Sequence, residues 1–392
     1  MHCRRIACRV LFILQLGLLG CQGNTDSSSS GPGGSSASST SDTILVGHYA
    51  SLTGSEATFG VSTDNGIKLA IQECNARGGI LGKQVALQTY DEQGKGQEVS
   101  TVVTRLIEQD HVVAVLGEVA SARSLIGGPI CQRLGVPMIS PSSTNPDVTA
   151  VGNMIFRVCF IDPFQGFVGA KFARENLKLS KGAVLFNRAQ AYSSGLKGNF
   201  ITAFKDLSGT VVSEQAYGDG DNDFSAQLTA IREAKPEFIY VPGYYTEVVN
   251  IAKQAKQLGL NVPLIGGDGW DSEELKNAGN ALNGCYFSNH YTHEDTRSEV
   301  QEFVSKYKAA YGKVPDSLAV LGYDAANILF DAIERAGSVD SQAVAKALAE
   351  TKDFQAVTGK ISIDEQRNAR KTAVMLEVVD GVPKFVASVS PN

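Results

Sequence analysis

The sequence predicts an α/β protein built from two doubly wound parallel-sheet lobes, and three observations carry that prediction. Short β-rich runs alternate with amphipathic helical runs from Thr43 onward. The alternation starts afresh after Asp162. The roughly 350 residues involved exceed what a single core ordinarily organises. Alternation of this kind places helices on both faces of a parallel sheet.

In the first lobe, strands are predicted at 44–49, 85–90, 112–116 and 138–140. Between them, Ile67, Ala70, Ile71 and Cys74 form one apolar helical stripe, and Val99, Val102, Val103, Leu106 and Ile107 form another. The second lobe has predicted strands at 183–186, 211–216, 238–241, 264–266 and 285–288, with Val248, Ile251, Ala252 and Ala255 on one helix face. Two late helices follow, one carrying Val300, Phe303, Val304 and Tyr307, the other Ala325, Ile328, Leu329, Ala332 and Ile333. Ligands bind beyond the carboxyl ends of parallel strands, so two facing lobes define a cleft lined by strand-end loops.

The N-terminus predicts the compartment. Arg4, Arg5 and Arg9 precede the apolar run VLFILQLGLL at 10–19. That run is shorter than the roughly 20 residues a spanning helix needs, and it fits the apolar part of a secretory signal. LLGC at 18–21 resembles the bacterial lipobox, which marks Cys21 for lipidation. The Ser/Gly-rich tract at 22–42 has little to bury and predicts a flexible tether with a reach of about 25 Å. The expected arrangement is a leader at 1–20, lipidated Cys21 with its linker to 42, and an extracytoplasmic domain held to the membrane only through its anchor.

The chain has 35 basic and 41 acidic residues and a net charge of −6. Loss of the leader, with three Arg and no acids, takes this to −9. Such a balance disfavours nucleic acid and anionic lipid as partners. Beyond the leader and lipobox stand Cys74, Cys131, Cys159 and Cys285, with no CxxC and no metal spacing. Cys74 lies on a helix stripe and Cys159 and Cys285 fall in predicted strands, so buried free thiols are expected, although spacing alone decides no disulfide.

Three motifs approach known chemistry and miss it. GGILGKQ at 78–84 lacks the final hydroxyl residue and the following helix of a phosphate loop, and reads as a turn. DGDND at 219–223 has Phe224 where a calcium loop needs Gly, and Ala230 where it needs Glu. A helix start capped by Asp223 is expected instead. HYTHED at 290–295 has no helix to align its two His and reads as an exposed connection. No GxSxG elbow occurs, and no nucleophile, cofactor motif or metal set supports an enzyme.

Small hydroxylated residues follow two of the strands, in GEVASARS at 117–124 and SPSSTNPDVT at 140–149. Free backbone N–H groups and hydroxyls at such positions suit a carboxylate. The motifs LTGSEATFG (52–60), NARGGILG (75–82), ISPSSTNPDVT (139–149), FRVCFIDPFQG (156–166), DNDFSAQL (221–228), YVPGYYTE (240–247) and LIGGDGWDS (264–272) run in order along the chain. Over residues 44–379 the sequence thereby resembles the solute-binding proteins of branched-chain amino acid ABC transporters.

The resemblance implies a type I periplasmic binding protein fold: lobe 1 from 43–160 and 290–373, lobe 2 from 161–289 and 374–392, and a three-segment hinge. It implies a monomer that delivers its ligand to a permease. Ser121 and Thr144 match residues that grip an α-carboxylate, with Ala120 beside them where some relatives have a disulfide Cys. The Ser142 carbonyl matches an ammonium acceptor, and Asp268 an acid that completes the ammonium site from lobe 2. Phe59, Tyr192, Tyr244 and Leu318 match positions around the rest of the ligand, and Trp270 is expected either in that wall or in the core. Leucine-binding members often have Glu where this chain has Asp268, and the shorter arm opens the alternative of an amide, urea or small aromatic acid.

Overall fold

The computed structural model describes residues 43–391. The predicted leader, Cys21 and the linker lie outside the described residues. In lobe 1, β1 (Thr43–Ala50), α1 (Ala57–Ala76), β2 (Gln84–Asp91), α2 (Gly96–Glu108), β3 (Val115–Leu116), α3 (Ser121–Leu134), β4 (Met138–Ser140), α4 (Asp147–Ala150) and β5 (Ile155–Arg157) follow in order. Lobe 2 contains α5 (Asp162–Lys171), β6 (Lys181–Asn187), α6 (Ala191–Asp206), β7 (Thr210–Tyr217), α7 (Ser225–Glu233), β8 (Phe238–Val241), α8 (Tyr245–Gln257), β9 (Leu264–Gly266) and β10 (Cys285–Asn289). The chain then gives α9 (Ser298–Tyr311), α10 (Ser317–Ala336), α11 (Ser341–Ala349), β11 (Phe354–Ala356), β12 (Gly359–Ile363) and β13 (Ala369–Arg370). It ends with β14 (Ala373–Val379) and β15 (Val382–Val389).

The first sheet is parallel throughout, in the order β2-β1-β3-β4-β5. The second runs β15-β14-β10-β9-β8-β6-β7, parallel except at β14 and β15. Both doubly wound lobes of the predicted α/β class are therefore present. The strand expected at 112–116 is cut to its last two residues. Val112 N–H donates back to Leu106 at the end of α2, and only from Val113 does the segment bond to β1.

Helices α10 and α11 pack on the first sheet with Ile67, Ile71, Val103 and Leu106. Contact between α1 and α10 is backbone to backbone: a Cβ on Gly66 would strike Ala319 O, and one on Gly322 would strike Thr63 O. Asp316 Oδ1 caps α10 by accepting from Ala319 N–H at 2.9 Å. The core of the second lobe continues across the cleft, since Phe59, Val119, Ala120 and Leu318 pack in one cluster with Tyr192 and Tyr244. The lobes are thus closed on each other.

Two local expectations are corrected. Asp223 is not the cap of α7; Phe224 is, and Asp223 Oδ1 instead accepts from Ser225 N–H at 2.9 Å in a turn one residue earlier. Cys159 lies beyond β5, in the segment that leads into α5, because the ladder with β4 ends at Arg157. Cys74, Cys131, Cys159 and Cys285 are free and buried. Among the described residues no helix is long and apolar enough to cross a membrane.

Candidate functional site

The cleft holds a small cavity lined by Phe59, Val119, Ser121, Ser142, Tyr192, Tyr244, Asp268, Gly269 and Leu318. Seven of these are residues the sequence singles out. They arrive from separate elements: Phe59 from the first turn of α1, Ser121 from the start of α3, and Ser142 from the loop after β4. Tyr192 opens α6, Tyr244 precedes α8, Asp268 follows β9, and Leu318 opens α10.

Lobe 1 contributes a helix N-terminus and a braced loop. Ala120 N–H donates to Glu118 Oε2 at 2.6 Å, which turns the chain into α3. Arg123 N–H and Ser124 N–H bond back to Ala120 O, whereas Ser121 and Ala122 N–H have no protein acceptor among the described residues. An anion is favoured at such an end by the free donors and the helix dipole. Ser140 and Ser143 hydroxyls both donate to Glu118 O, at 2.9 and 3.1 Å, pinning the loop after β4 to the loop after β3. Arg157 supports the same loop from below, donating to Ser143 O at 2.5 Å and Thr149 Oγ1 at 3.0 Å.

Lobe 2 contributes an acid. Asp268 is 4% exposed, and its Oδ1 accepts from Gln165 Nε2 at 2.8 Å and Tyr192 Oη at 2.9 Å. His290 Nε2 lies 3.0 Å from Oδ2. Burial holds the His290 pKa below its usual value, so the ring is neutral near pH 7. Among the described residues no Lys or Arg pairs with Asp268. Burial also drives the Tyr192 and Tyr244 phenols well above their ordinary pKa, keeping both as neutral hydroxyls. Their rings stack, with centroids 5.2 Å apart, and Phe59 meets Tyr244 edge-on at 5.4 Å across the cleft.

Other expected residues sit differently. Trp270 is fully buried in the lobe 2 core: its Nε1 donates to Val241 O at 3.0 Å and its ring lies on Gly266, where any Cβ would clash. It forms no part of the cavity wall. Ala120 and Thr144 are buried beside the cavity rather than lining it. The Thr144 hydroxyl is next to the Asp162 carboxyl, which burial raises to about 8 against the partial counter-effect of Thr144.

Sequence reading missed Gln165 and His290. The first stands in FQG, three residues after Asp162 on α5, a spacing that puts both toward one face. The expectation of an exposed 290–295 connection is corrected, since His290, Tyr291 and Thr292 are buried where the chain passes between the lobes. No periodic pattern marks that burial.

Two α/β lobes closed over a small cavity, with anion-seeking amides on one side and, on the other, an acid that no Lys or Arg among the described residues pairs, define a solute-capturing protein. Residues 43–382 match the family model for periplasmic binding proteins, and the chain belongs to that family of extracytoplasmic solute-binding transport proteins. It is 32% identical over 325 residues to the Leu/Ile/Val-binding protein BraC3 of Rhizobium johnstonii, covering 82% of this chain and 88% of the relative. The crystal structure of the leucine-binding protein LivK from Thermotoga maritima is similar with a TM-score of 0.85 and 39% identity, covering 89% of this chain and 99% of that one. LivJ from Streptococcus pneumoniae, solved in complex with isoleucine, has a TM-score of 0.84 and 33% identity, with 89% and 100% covered.

Proposed function

We propose that this protein captures a branched-chain or other aliphatic amino acid outside the cytoplasm and delivers it to an ABC transporter permease. The carrying observation is Asp268: buried, facing the cavity, and without a protein cation. A buried carboxylate demands a positive partner, and an α-ammonium group supplies one. Opposite it, the start of α3 at Ser121 and the loop at Ser142 offer donors to the α-carboxylate and a carbonyl to the ammonium. Phe59, Val119 and Leu318 leave apolar surface for an aliphatic side chain. Relatives that bind leucine, isoleucine and valine agree with this chemistry.

The lobes pivot where the chain passes between them, at 158–161, 290–297 and 371–372. A lipid on Cys21 and the tract at 22–42 hold the monomeric domain beside its permease. Thermal-shift measurement against the twenty amino acids, with benzoate, acetamide and urea alongside, tests the ligand class. A ligand at a hundred times its Kd stabilises the fold by about 2.7 kcal/mol. Leucine, isoleucine or valine is expected to raise the Tm; a response to benzoate with none to any amino acid would refute the reading.

A further inference from the structure

His290 joins the candidate ammonium site to the hinge. It directly follows β10, at the chain's second passage between the lobes, and is buried. Its ring lies flat on Phe160 of the first passage, with centroids 3.8 Å apart and planes at 23°. Nε2 stands 3.0 Å from Asp268 Oδ2, while Nδ1 has no hydrogen-bond partner among the described residues. Gln165 and Tyr192 both occupy Oδ1, so Oδ2 has His290 alone among the described residues and keeps a lone pair for a ligand.

Charge decides what this contact can do. A neutral ring donates from Nε2 and leaves Asp268 in need of a cation. A protonated ring is itself that cation, at hydrogen-bonding distance. With an ammonium group already at Asp268, an imidazolium would place a second positive charge beside one carboxylate in a closed space, with its Nδ1 proton unpaired. We propose that His290 positions Asp268 for the ligand's α-amino group and is the competing cation for it, so that protonation of His290 and binding of an ammonium-bearing ligand oppose one another. This inference rests on the amino-acid reading above.

The other groups facing the ring are Asp271, which like Asp268 favours its protonation, and Lys371, which opposes it. Burial outweighs them and lowers the His290 pKa in the closed form. A ligand ammonium at Asp268 opposes protonation further, so the ligand-free form takes up a proton more readily than the liganded one. Asp162, which faces Asp268 from α5, holds its proton up to about 8 and adds no charge below that. Acid therefore favours release of the ligand.

The test is calorimetric titration of the whole protein with L-leucine from about pH 5 to about pH 7, for wild type, His290→Gln and His290→Asn. Glutamine and asparagine can donate an N–H to Asp268 without titrating in that range. Wild-type Kd is expected to rise as pH falls, with a limiting slope of about tenfold per pH unit for one linked proton. Both variants are expected to flatten that slope. In buffers of differing ionisation enthalpy, wild type at the acid end is expected to release a proton on binding, a measurement that needs no variant. 4-Methylpentanoate, which has leucine's side chain and no amino group, is expected to show the opposite pH trend in wild type only. A slope unchanged in the variants, or leucine binding by wild type with no proton release, overturns the role of His290 alone. No response of wild type to any amino acid overturns the ligand reading, and this inference with it.

Discussion

Asp271 Oδ2 accepts a hydrogen bond from the backbone N–H of Ser317 at 2.7 Å, so a lobe 2 carboxylate sits on the first turn of the lobe 1 helix α10. Asn289 Nδ2 holds the same oxygen at 2.9 Å. Three residues before Asp271 stands Asp268, and one residue after Ser317 stands Leu318, both of which line the cavity. The bond therefore bridges the two walls of the site and exists only when they are together.

Asp271→Ala is expected to shorten the life of the closed complex. Leaving the Ser317 N–H unpaired costs about 1–3 kcal/mol, which is about 5- to 150-fold in Kd. The loss should fall on the dissociation rate, because the contact forms after encounter. The Tm of the ligand-free protein should fall as well, because Asn289 Nδ2 loses its buried acceptor within lobe 2, so the release rate rather than the Tm isolates the closing contact. Stopped-flow displacement of bound leucine reads this directly, and an unaltered release rate would count against a closing contact.

Asp268→Asn keeps the size of the side chain and removes its charge. The stranded ligand ammonium is expected to cost about 2–5 kcal/mol, or about 30-fold to several thousand-fold in Kd. Titration with leucine and 4-methylpentanoate separates charge from packing. Only leucine should lose affinity on this scale; equal losses for both would point to a disturbed pocket.

Much of this was legible in the sequence because strands and helices advertise themselves through apolar spacing. The runs at 238–241 and 264–266 coincide with β8 and β9, and the stripes ending at Cys74 and Ile107 lie on α1 and α2. Six of the seven cavity residues were legible because they fall in the segments that follow strands, whereas Leu318, at the start of α10, was legible only through the family resemblance. What escaped depends on three-dimensional direction. Trp270 and Asp268 are two residues apart in one short turn, yet one enters the core and the other the cleft. His290 looked exposed because its neighbours in HYTHED are polar, whereas the stacked Phe160 ring that covers it lies far away in sequence.

Stability should fall as pH rises through the neutral range, with Asp162 as one identifiable source. Its carboxyl is raised by burial to about 8, against about 3.9 in an unfolded chain. Below the lower value both states are protonated and the full contribution is present. Between the two values the folded state keeps a proton that the unfolded state releases, so stability is lost as pH climbs toward about 8. The limiting slope is about 1.4 kcal/mol per pH unit for one proton. Glu92 and Asp316, each raised to about 7 chiefly by burial, act in the same direction. Urea unfolding of wild type and Asp162→Asn at several pH values isolates the Asp162 part: the variant should gain on wild type as pH rises, and parallel curves would contradict the assignment.

Two glycines predict opposite outcomes for the same substitution. A Cβ on Gly269 would lie 2.8 Å from Tyr244 Cδ1, 2.9 Å from Gly243 O and 3.1 Å from Tyr192 Cε1. The carbonyl is backbone and cannot swing aside. Tyr244 must then yield, with Tyr192 giving by a few tenths of an ångström, and the Tyr192 hydroxyl both donates to Asp268 and accepts from Gly269 N–H at 3.3 Å. Gly269→Ala is expected to cost about 1–3 kcal/mol through overpacking and to weaken leucine binding along with stability. Gly198, exposed within α6, would carry a Cβ that meets nothing within 4 Å. There Gly198→Ala relieves the entropic cost of helical glycine and should stabilise by about 0.5–1 kcal/mol without altering affinity. Denaturation and titration of both variants check the pair; a Gly269→Ala protein with wild-type affinity would show that Tyr192 can hold Asp268 from a shifted position.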